Sequence, residues 1–137
     1  MKIKLGPNQP KPEYQTSGAA AFDLCATETV CIESRVHMMN LEIACEIPQG
    51  YYGKLVMRSS MAKRLIFLAN GTGIIDSDYR GDIHAPLISF AACGSTINKG
   101  ERIAQLLICP VNHVELEVVD ELSETQRNTG GFGSTNK

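Results

Sequence analysis

The stretch Ile74-Ile-Asp-Ser-Asp-Tyr-Arg-Gly81 gathers two carboxylates, an aromatic hydroxyl and a guanidinium in one short turn. Asp76 closes an apolar run, a setting that desolvates a carboxylate, raises its proton affinity and suits it to general-base work. Tyr79 presents a flat ring beside it, while Asp78 and Arg80 suit an ordinary turn with an ion pair. A second group of chemistry-bearing residues lies in the glycine-rich C-terminus, Arg127-Asn-Thr-Gly-Gly-Phe-Gly-Ser-Thr-Asn-Lys137. Arg127, Ser134 and Thr135 are donors of the kind that hold phosphate oxygens, and the glycines expose backbone N–H groups. Phe132 offers a face on which a nucleobase can stack. Together they fit an arm closing over a nucleotide; the same composition also suits a frayed, solvated terminus.

Three further constellations carry chemistry. In Met57-Arg-Ser-Ser-Met-Ala62, Arg58, Ser59 and Ser60 sit where a strand gives way to a helix. They form either an anion site built on free backbone N–H groups or an N-cap with a surface arginine. Gln105 is polar within the apolar run Arg102 to Val111 and needs a hydrogen bond from backbone or ligand. Asp23, after the small residues Ala19 to Ala21, is a structural acceptor, an arginine partner or the holder of a metal-bound water. One carboxylate makes no metal cage, but Mg²⁺ commonly takes most of its ligands from phosphates and water.

The elements that must position these groups are strands. Phe22 to Ala26, Arg35 to Ala44, Gly53 to Met57, Ile83 to Phe90 and Arg102 to Val111 are short apolar runs. His113 to Val119 alternates, with Val114, Leu116 and Val118 on one face, and predicts a sixth strand. Turn signals fall at Pro48-Gln-Gly50, Asn70-Gly71, Arg80-Gly81, Cys93-Gly-Ser95 and Lys99-Gly100. The pattern predicts an all-β sandwich or barrel with one short helix near Ser60 to Arg64. Pro86 cannot donate to a ladder and marks an edge, a bulge or a strand end.

A length of 137 residues fits one domain, expected over residues 1–126, with residues 127–137 as a mobile arm. Apolar content of 43% with 20% charged residues is ordinary for a soluble globular chain. No apolar run is long enough to span a bilayer and the N-terminus has no signal-peptide core, so an intracellular, cytoplasmic location is expected (nuclear if eukaryotic or viral). Five cysteines without a Cys-x-x-Cys pair argue for reduced thiols, with Cys25, Cys45 and Cys109 buried, rather than disulfides or zinc. A net charge of −2 argues against direct nucleic-acid binding but not against a small anionic ligand.

Five segments, taken in order, resemble the motifs of the trimeric dUTP diphosphatases (dUTPases): Ala19-Ala-Ala-Phe-Asp-Leu, Gly53-Lys-Leu-Val-Met-Arg-Ser-Ser, Gly73-Ile-Ile-Asp-Ser-Asp-Tyr-Arg-Gly, Gly100-Glu-Arg-Ile-Ala-Gln-Leu and Arg127-Asn-Thr-Gly-Gly-Phe-Gly-Ser-Thr. The resemblance implies an antiparallel jelly roll and a homotrimer with shared active sites. It implies dUTP as substrate and Mg²⁺ held by the triphosphate and water, with Asp23 involved through water. Asp76 would activate the water that attacks the α-phosphorus, and Tyr79 would pack on the deoxyribose. Asn70, Gly73, Ile74, Ile75 and His84 would read uracil through backbone groups. Arg58, Ser59, Ser60 and Gln105 would hold phosphates, while Arg127, Phe132, Gly133, Ser134 and Thr135 would close the site. Ala20, Ser60, His84, Pro86, Ser89 and Asn128 depart from the usual pattern without removing a side chain implied in the chemistry. Two alternatives are a dCTP deaminase-type or bifunctional relative, and a regulatory module switched by nucleotide. The Gly-Gly-Phe-Gly-Ser-Thr arm and the Asp-Ser-Asp-Tyr hairpin favour dUTP hydrolysis over deamination. The compact chain shows no inserted segment of the kind that regulatory relatives carry.

Overall fold

The computed structural model describes residues 1–131. Its elements in order are β1 (Lys2–Leu5), β2 (Phe22–Cys25), β3 (Val30–Ile32), β4 (His37–Asn40), β5 (Ile43–Glu46), β6 (Tyr51–Met57), α1 (Ser59–Ala62), β7 (Ile66–Leu68), β8 (Gly73–Ile75), β9 (His84–Ser89), β10 (Ser95–Ile97) and β11 (Arg102–Pro110). The strands pair antiparallel as β2-β11-β6-β8, β4-β9-β7, β1-β5 and β10-β3. The expected all-β, jelly-roll class with one short helix holds. Apolar side chains from every layer meet in one core, where Leu24, Ile32, Met39, Leu41, Ile43, Leu55, Leu87, Ile97, Ile103 and Leu106 are fully buried. Each such side chain contributes roughly 1.5–3 kcal/mol.

Glycine sets four of the expected turns. Gly50, Gly71, Gly94 and Gly100 have φ between +70° and +83°, a region that costs other residues strain. The expected strand from Arg35 to Ala44 breaks in two at Leu41-Glu42, where Glu42 takes φ +51° and its N–H donates to Asn40 Oδ1 at 2.7 Å. Pro86 lies inside β9, the central strand of its sheet, so the edge expectation fails there. Its carbonyl accepts from Ala69 N at 2.7 Å. Because N–H and C=O of one residue point to the same side of an antiparallel strand, the ring nitrogen faces Ala69, just past the end of β7, so the one bond that proline cannot give falls where that ladder ends.

The strand expected over 113–119 does not form. Val114, Leu116 and Val118 are 73%, 86% and 98% exposed, and the last ladder contact of the body is Val111 N to Gly50 O at 2.9 Å. Alternation supplies an apolar face, but a strand also needs a ladder partner, and the described residues supply none there. The thiols are all free: Cys25 and Cys45 are buried, as expected, Cys109 is half-buried, and Cys31 and Cys93 are exposed. Burial pushes the Cys45 thiol up to about 11.

Candidate functional site

The residues singled out for chemistry fall into two groups at opposite ends of one sheet. The first is built where β2, β11 and β6 run side by side. Asp23 on β2 stands directly opposite Gln105 on β11, and Gln105 in turn stands opposite Val56 on β6. The Asp23 carboxylate, 10% exposed, pairs with Arg58 Nε at 3.1 Å through one oxygen and with Arg102 Nη1 at 3.1 Å through the other. Of its possible roles, Asp23 therefore takes that of arginine partner. Arg58 also donates from Nη1 to the Arg102 carbonyl at 3.2 Å, which fixes the two guanidinium groups side by side. Such charge-assisted pairs hold a cation in place at little net gain in stability, because both arginines remain partly open to water.

Arg102 was not assigned any chemistry from sequence, for a reason visible in β11. Simple alternation puts Arg102 on the same face as Ala104 and Leu106, inside the core. The ladder with β2 shifts between Arg102 and Ala104, a β-bulge that buries Ile103 and Ala104 in succession. That shift flips Arg102 to the face of Gln105 and Asp23, a common use of bulges at sites. Arg58 N donates to the Ile103 carbonyl at 2.9 Å, so the bulge also anchors the start of α1. Ser59 and Ser60 are exposed on that first turn. Arg58 occupies the N-cap position without a side-chain cap bond, so the serine-cap alternative does not occur; a helix this short also has little dipole of its own.

The second group is the hairpin that follows β8. Gly73 and Ile75 pair with Leu55 and Gly53, and a Cβ on Gly73 would lie 3.0 Å from that of Leu55, so glycine lets β8 close on β6. Asn70 sits in the turn before it, its carbonyl accepting from Thr72 N at 2.7 Å. Beyond Ile75, a cleft of about 170 Å³ is lined by Ile74, Ile75, Asp76, Tyr79, Asp82, Ile83 and His84. The Tyr79 hydroxyl donates to the Asp82 carbonyl at 3.0 Å. Its ring lies across Gly81, where a Cβ would come within 2.4 Å of the phenolic oxygen. Gly81 is thus required for space, not for an unusual φ. Arg80 does not pair with Asp78; it donates from Nη1 to the carbonyls of Ser77 at 2.7 Å and Tyr79 at 3.0 Å. Asp76 is exposed, so the desolvation expected from the apolar run before it is not supplied by the described residues of this chain.

The two groups do not meet within one chain. Ile75 is level with Gly53 on β6, which brings Asp76 level with Tyr52, and both line one groove. Arg58 lies six residues further along, about 20 Å away at ~3.3 Å per residue. In the described part of the C-terminal segment, Arg127 Nε donates to the Gly130 carbonyl at 2.8 Å, and Asn128 adopts φ +42°, a conformation that asparagine tolerates. Phe132, Gly133, Ser134 and Thr135 lie outside the described residues. Among those described, no three His, Cys, Asp or Glu side chains converge to hold a metal ion.

An antiparallel all-β chain with a carboxylate-clamped arginine pair and a carboxylate–tyrosine hairpin is equipped to handle a phosphorylated, ring-bearing ligand. Residues 8–136 match the dUTPase family model. The deoxyuridine 5'-triphosphate nucleotidohydrolase of Hydrogenobaculum sp. (strain Y04AAS1) is 45% identical over 136 residues, 96% of this chain and 94% of that protein. That of Wolinella succinogenes is 41% identical over 137 residues, 98% and 92% of the two chains. A solved structure of the Staphylococcus bacteriophage 80alpha dUTPase with dUPNHPP is similar at a TM-score of 0.86 and 29% identity, over 97% of this chain and 96% of that one. The chain belongs to the dUTPase family and is an enzyme of the hydrolase class.

Proposed function

We propose that the chain hydrolyses dUTP to dUMP and pyrophosphate at sites that neighbouring copies of a homotrimer complete for one another. The observation that carries this is the separation of the Arg58–Arg102 pair from the Asp76–Tyr79 hairpin, in a chain aligned over almost its whole length with dUTP nucleotidohydrolases. A carboxylate that activates water must be within hydrogen-bond reach of it, and the guanidinium groups must reach the phosphate that the same water attacks. About 20 Å along one sheet is too far, so the hairpin of one copy works with the arginine pair of another. The exposed apolar face of Val114, Leu116 and Val118 supports association, since the described residues do not cover it.

In the assembled site Asp76 takes a proton from a water and directs it at the α-phosphorus, and the α–β bridging oxygen leaves with pyrophosphate. Packing by a second copy and by substrate desolvates Asp76, which the single chain does not. The Tyr79 ring lies against the deoxyribose and leaves no room for a 2′-hydroxyl. Backbone groups of Asn70, Gly73, Ile74, Ile75 and His84 read the uracil edge, and a rigid backbone pocket leaves groups unpaired against cytosine. Arg58, Arg102, Ser59, Ser60 and Gln105 hold the phosphates. Arg127, Gly133, Ser134 and Thr135 close over the γ-phosphate and Phe132 stacks on the base, excluding water.

The protein donor set suits an Mg²⁺ ion that arrives on the substrate: Asp23 is occupied by two arginines, and would help to hold the ion through water. When bound, that ion neutralises phosphate charge as the leaving group departs. The activity would limit uracil incorporation into DNA and supply dUMP for dTMP synthesis, in the cytoplasm. Anion-exchange separation of products from dUTP, dCTP, dTTP and UTP with Mg²⁺ tests the proposal. Selective conversion of dUTP to dUMP supports it; a uracil nucleotide formed from dCTP would point to the deaminase-type alternative.

A further inference from the structure

We propose that Asn40, which lies outside the cleft, is a positioning residue for its sugar-facing wall: it fixes Asp82, whose main-chain carbonyl holds the rings of Tyr79 and His84. The proposal rests on the assignment of Tyr79 to sugar discrimination.

The Asp82 carbonyl accepts two hydrogen bonds, from Tyr79 Oη at 3.0 Å and from His84 Nδ1 at 3.0 Å. A carbonyl oxygen has two lone pairs, so both are used. Because the partner is an acceptor, His84 carries its proton on Nδ1, leaving Nε2 as the ring's second polar atom. Tyr79 and His84 are both among the residues that line the cleft. Any displacement of Asp82 moves the two rings together.

What holds Asp82 is Asn40. The Asn40 Nδ2 donates to Asp82 Oδ2 at 3.0 Å. Its Oδ1 is committed to Glu42 N at 2.7 Å, which sets the amide orientation and leaves the donor end facing Asp82. The Asn40 main chain is held in turn by Thr27 Oγ1, which donates to its carbonyl at 2.7 Å, and by pairing opposite His84 between β4 and β9. On either side of the turn, Leu41 N donates to the Ile83 carbonyl at 2.9 Å and Ile83 N to the Ile43 carbonyl at 2.8 Å. The break in the β4–β5 run, with Glu42 at φ +51°, is the feature that aims Asn40 at the hairpin. The hairpin's one side-chain tie to that turn is thus a bond between a fixed amide and a half-buried carboxylate.

Asn40→Asp isolates this tie. The new carboxylate still accepts from Glu42 N, keeping the turn, but meets Asp82 with like charge. Losing a hydrogen bond to a charged group should shift the kcat/KM ratio of dUTP over UTP toward UTP on the order of tenfold. Adding Asp82→Asn restores a donor–acceptor pair with the roles exchanged, and most of the ratio should return. Asp82→Ala, which keeps the carbonyl and removes only the tie, should shift the ratio in the same sense. A purely structural role would lower activity on both substrates alike. NMR of ¹³C-labelled tyrosine supplies a readout free of activity: the Tyr79 ring should lose its single environment in Asn40→Asp and regain it in the double variant. Folded Asn40→Asp or Asp82→Ala protein with an unchanged ratio and an unchanged Tyr79 signal overturns the proposal, as does a double variant that recovers nothing. A wild-type enzyme that does not prefer dUTP over UTP would instead overturn the sugar assignment of Tyr79, with the NMR result still deciding the role of Asn40.

Discussion

Gly81→Ala tests how the Tyr79 wall is built. A Cβ at position 81 would lie 2.4 Å from Tyr79 Oη, 2.7 Å from Cζ and 3.1 Å from Cε2, so the ring cannot stay where it is. The backbone at Gly81 lies outside the left-handed region, so alanine introduces no strain of its own. The ring is 44% exposed and free to swing outward, at the cost of its hydrogen bond to the Asp82 carbonyl. That loss is worth about 1 kcal/mol of stability, or a Tm lower by roughly 4 °C. The larger effect should fall on selectivity, because a displaced ring no longer closes the space beside the 2′ carbon; the preference for dUTP over UTP should fall on the order of tenfold to a hundredfold. The assay is kcat/KM for both nucleotides with wild type, Gly81→Ala, Tyr79→Ala and the double variant. If alanine acts only through the ring, it should add nothing once Tyr79 is gone. A Gly81→Ala enzyme with wild-type selectivity, or one whose loss adds fully to that of Tyr79→Ala, would refute the reasoning.

Asp76→Asn should keep fold and nucleotide binding while lowering turnover by a factor on the order of 10² or more, measured under saturating dUTP; near-normal turnover would remove it as the base. Arg102→Ala should raise KM for dUTP on the order of tenfold and leave Tm almost unchanged, since the Arg102 side chain is exposed and Asp23 keeps its pair with Arg58; a large fall in Tm without a change in KM would make Arg102 structural. The buried Cys45 thiol is held up to about 11 from an ordinary 9.0 by desolvation, so its contribution is intact below about pH 9 and is lost as pH rises toward 11, where the unfolded thiol ionises first. Wild type should therefore lose more stability than Cys45→Ala across that window in denaturant titrations, and parallel curves would contradict the assignment.

What the sequence disclosed follows from what kind of information it holds. Glycine turns were legible at Gly50, Gly71, Gly94 and Gly100 because a positive φ is a demand of a single residue. The carboxylate–tyrosine hairpin and the Arg58 turn were legible because their side-chain types were unusual for their surroundings. Arg102 was hidden because one extra residue at Ile103 inverts the face of everything before it without changing composition. Asn40 and Asp82 were hidden because their bond joins segments distant in sequence, and neither residue type is rare in turns. The strand expected over 113–119 failed because alternation reports which face seeks cover, not whether a partner exists in the same chain. Asp76 is exposed for a like reason: an apolar run leading into a carboxylate does not by itself cover it among the described residues.

The central claim, that hairpin and arginine pair meet only between copies, is tested most directly by complementation. Asp76→Asn lacks a working hairpin, and an Arg58→Ala, Arg102→Ala double variant lacks a working arginine pair. Each should be nearly inactive alone. When the two are mixed by co-refolding in equal amounts, about a quarter of shared sites should receive an intact hairpin from one chain and an intact arginine pair from another. Turnover of dUTP should then rise to about that fraction of wild type. Mixed assemblies that stay as inactive as their parents would mean that each chain builds its site alone, and the account would be wrong.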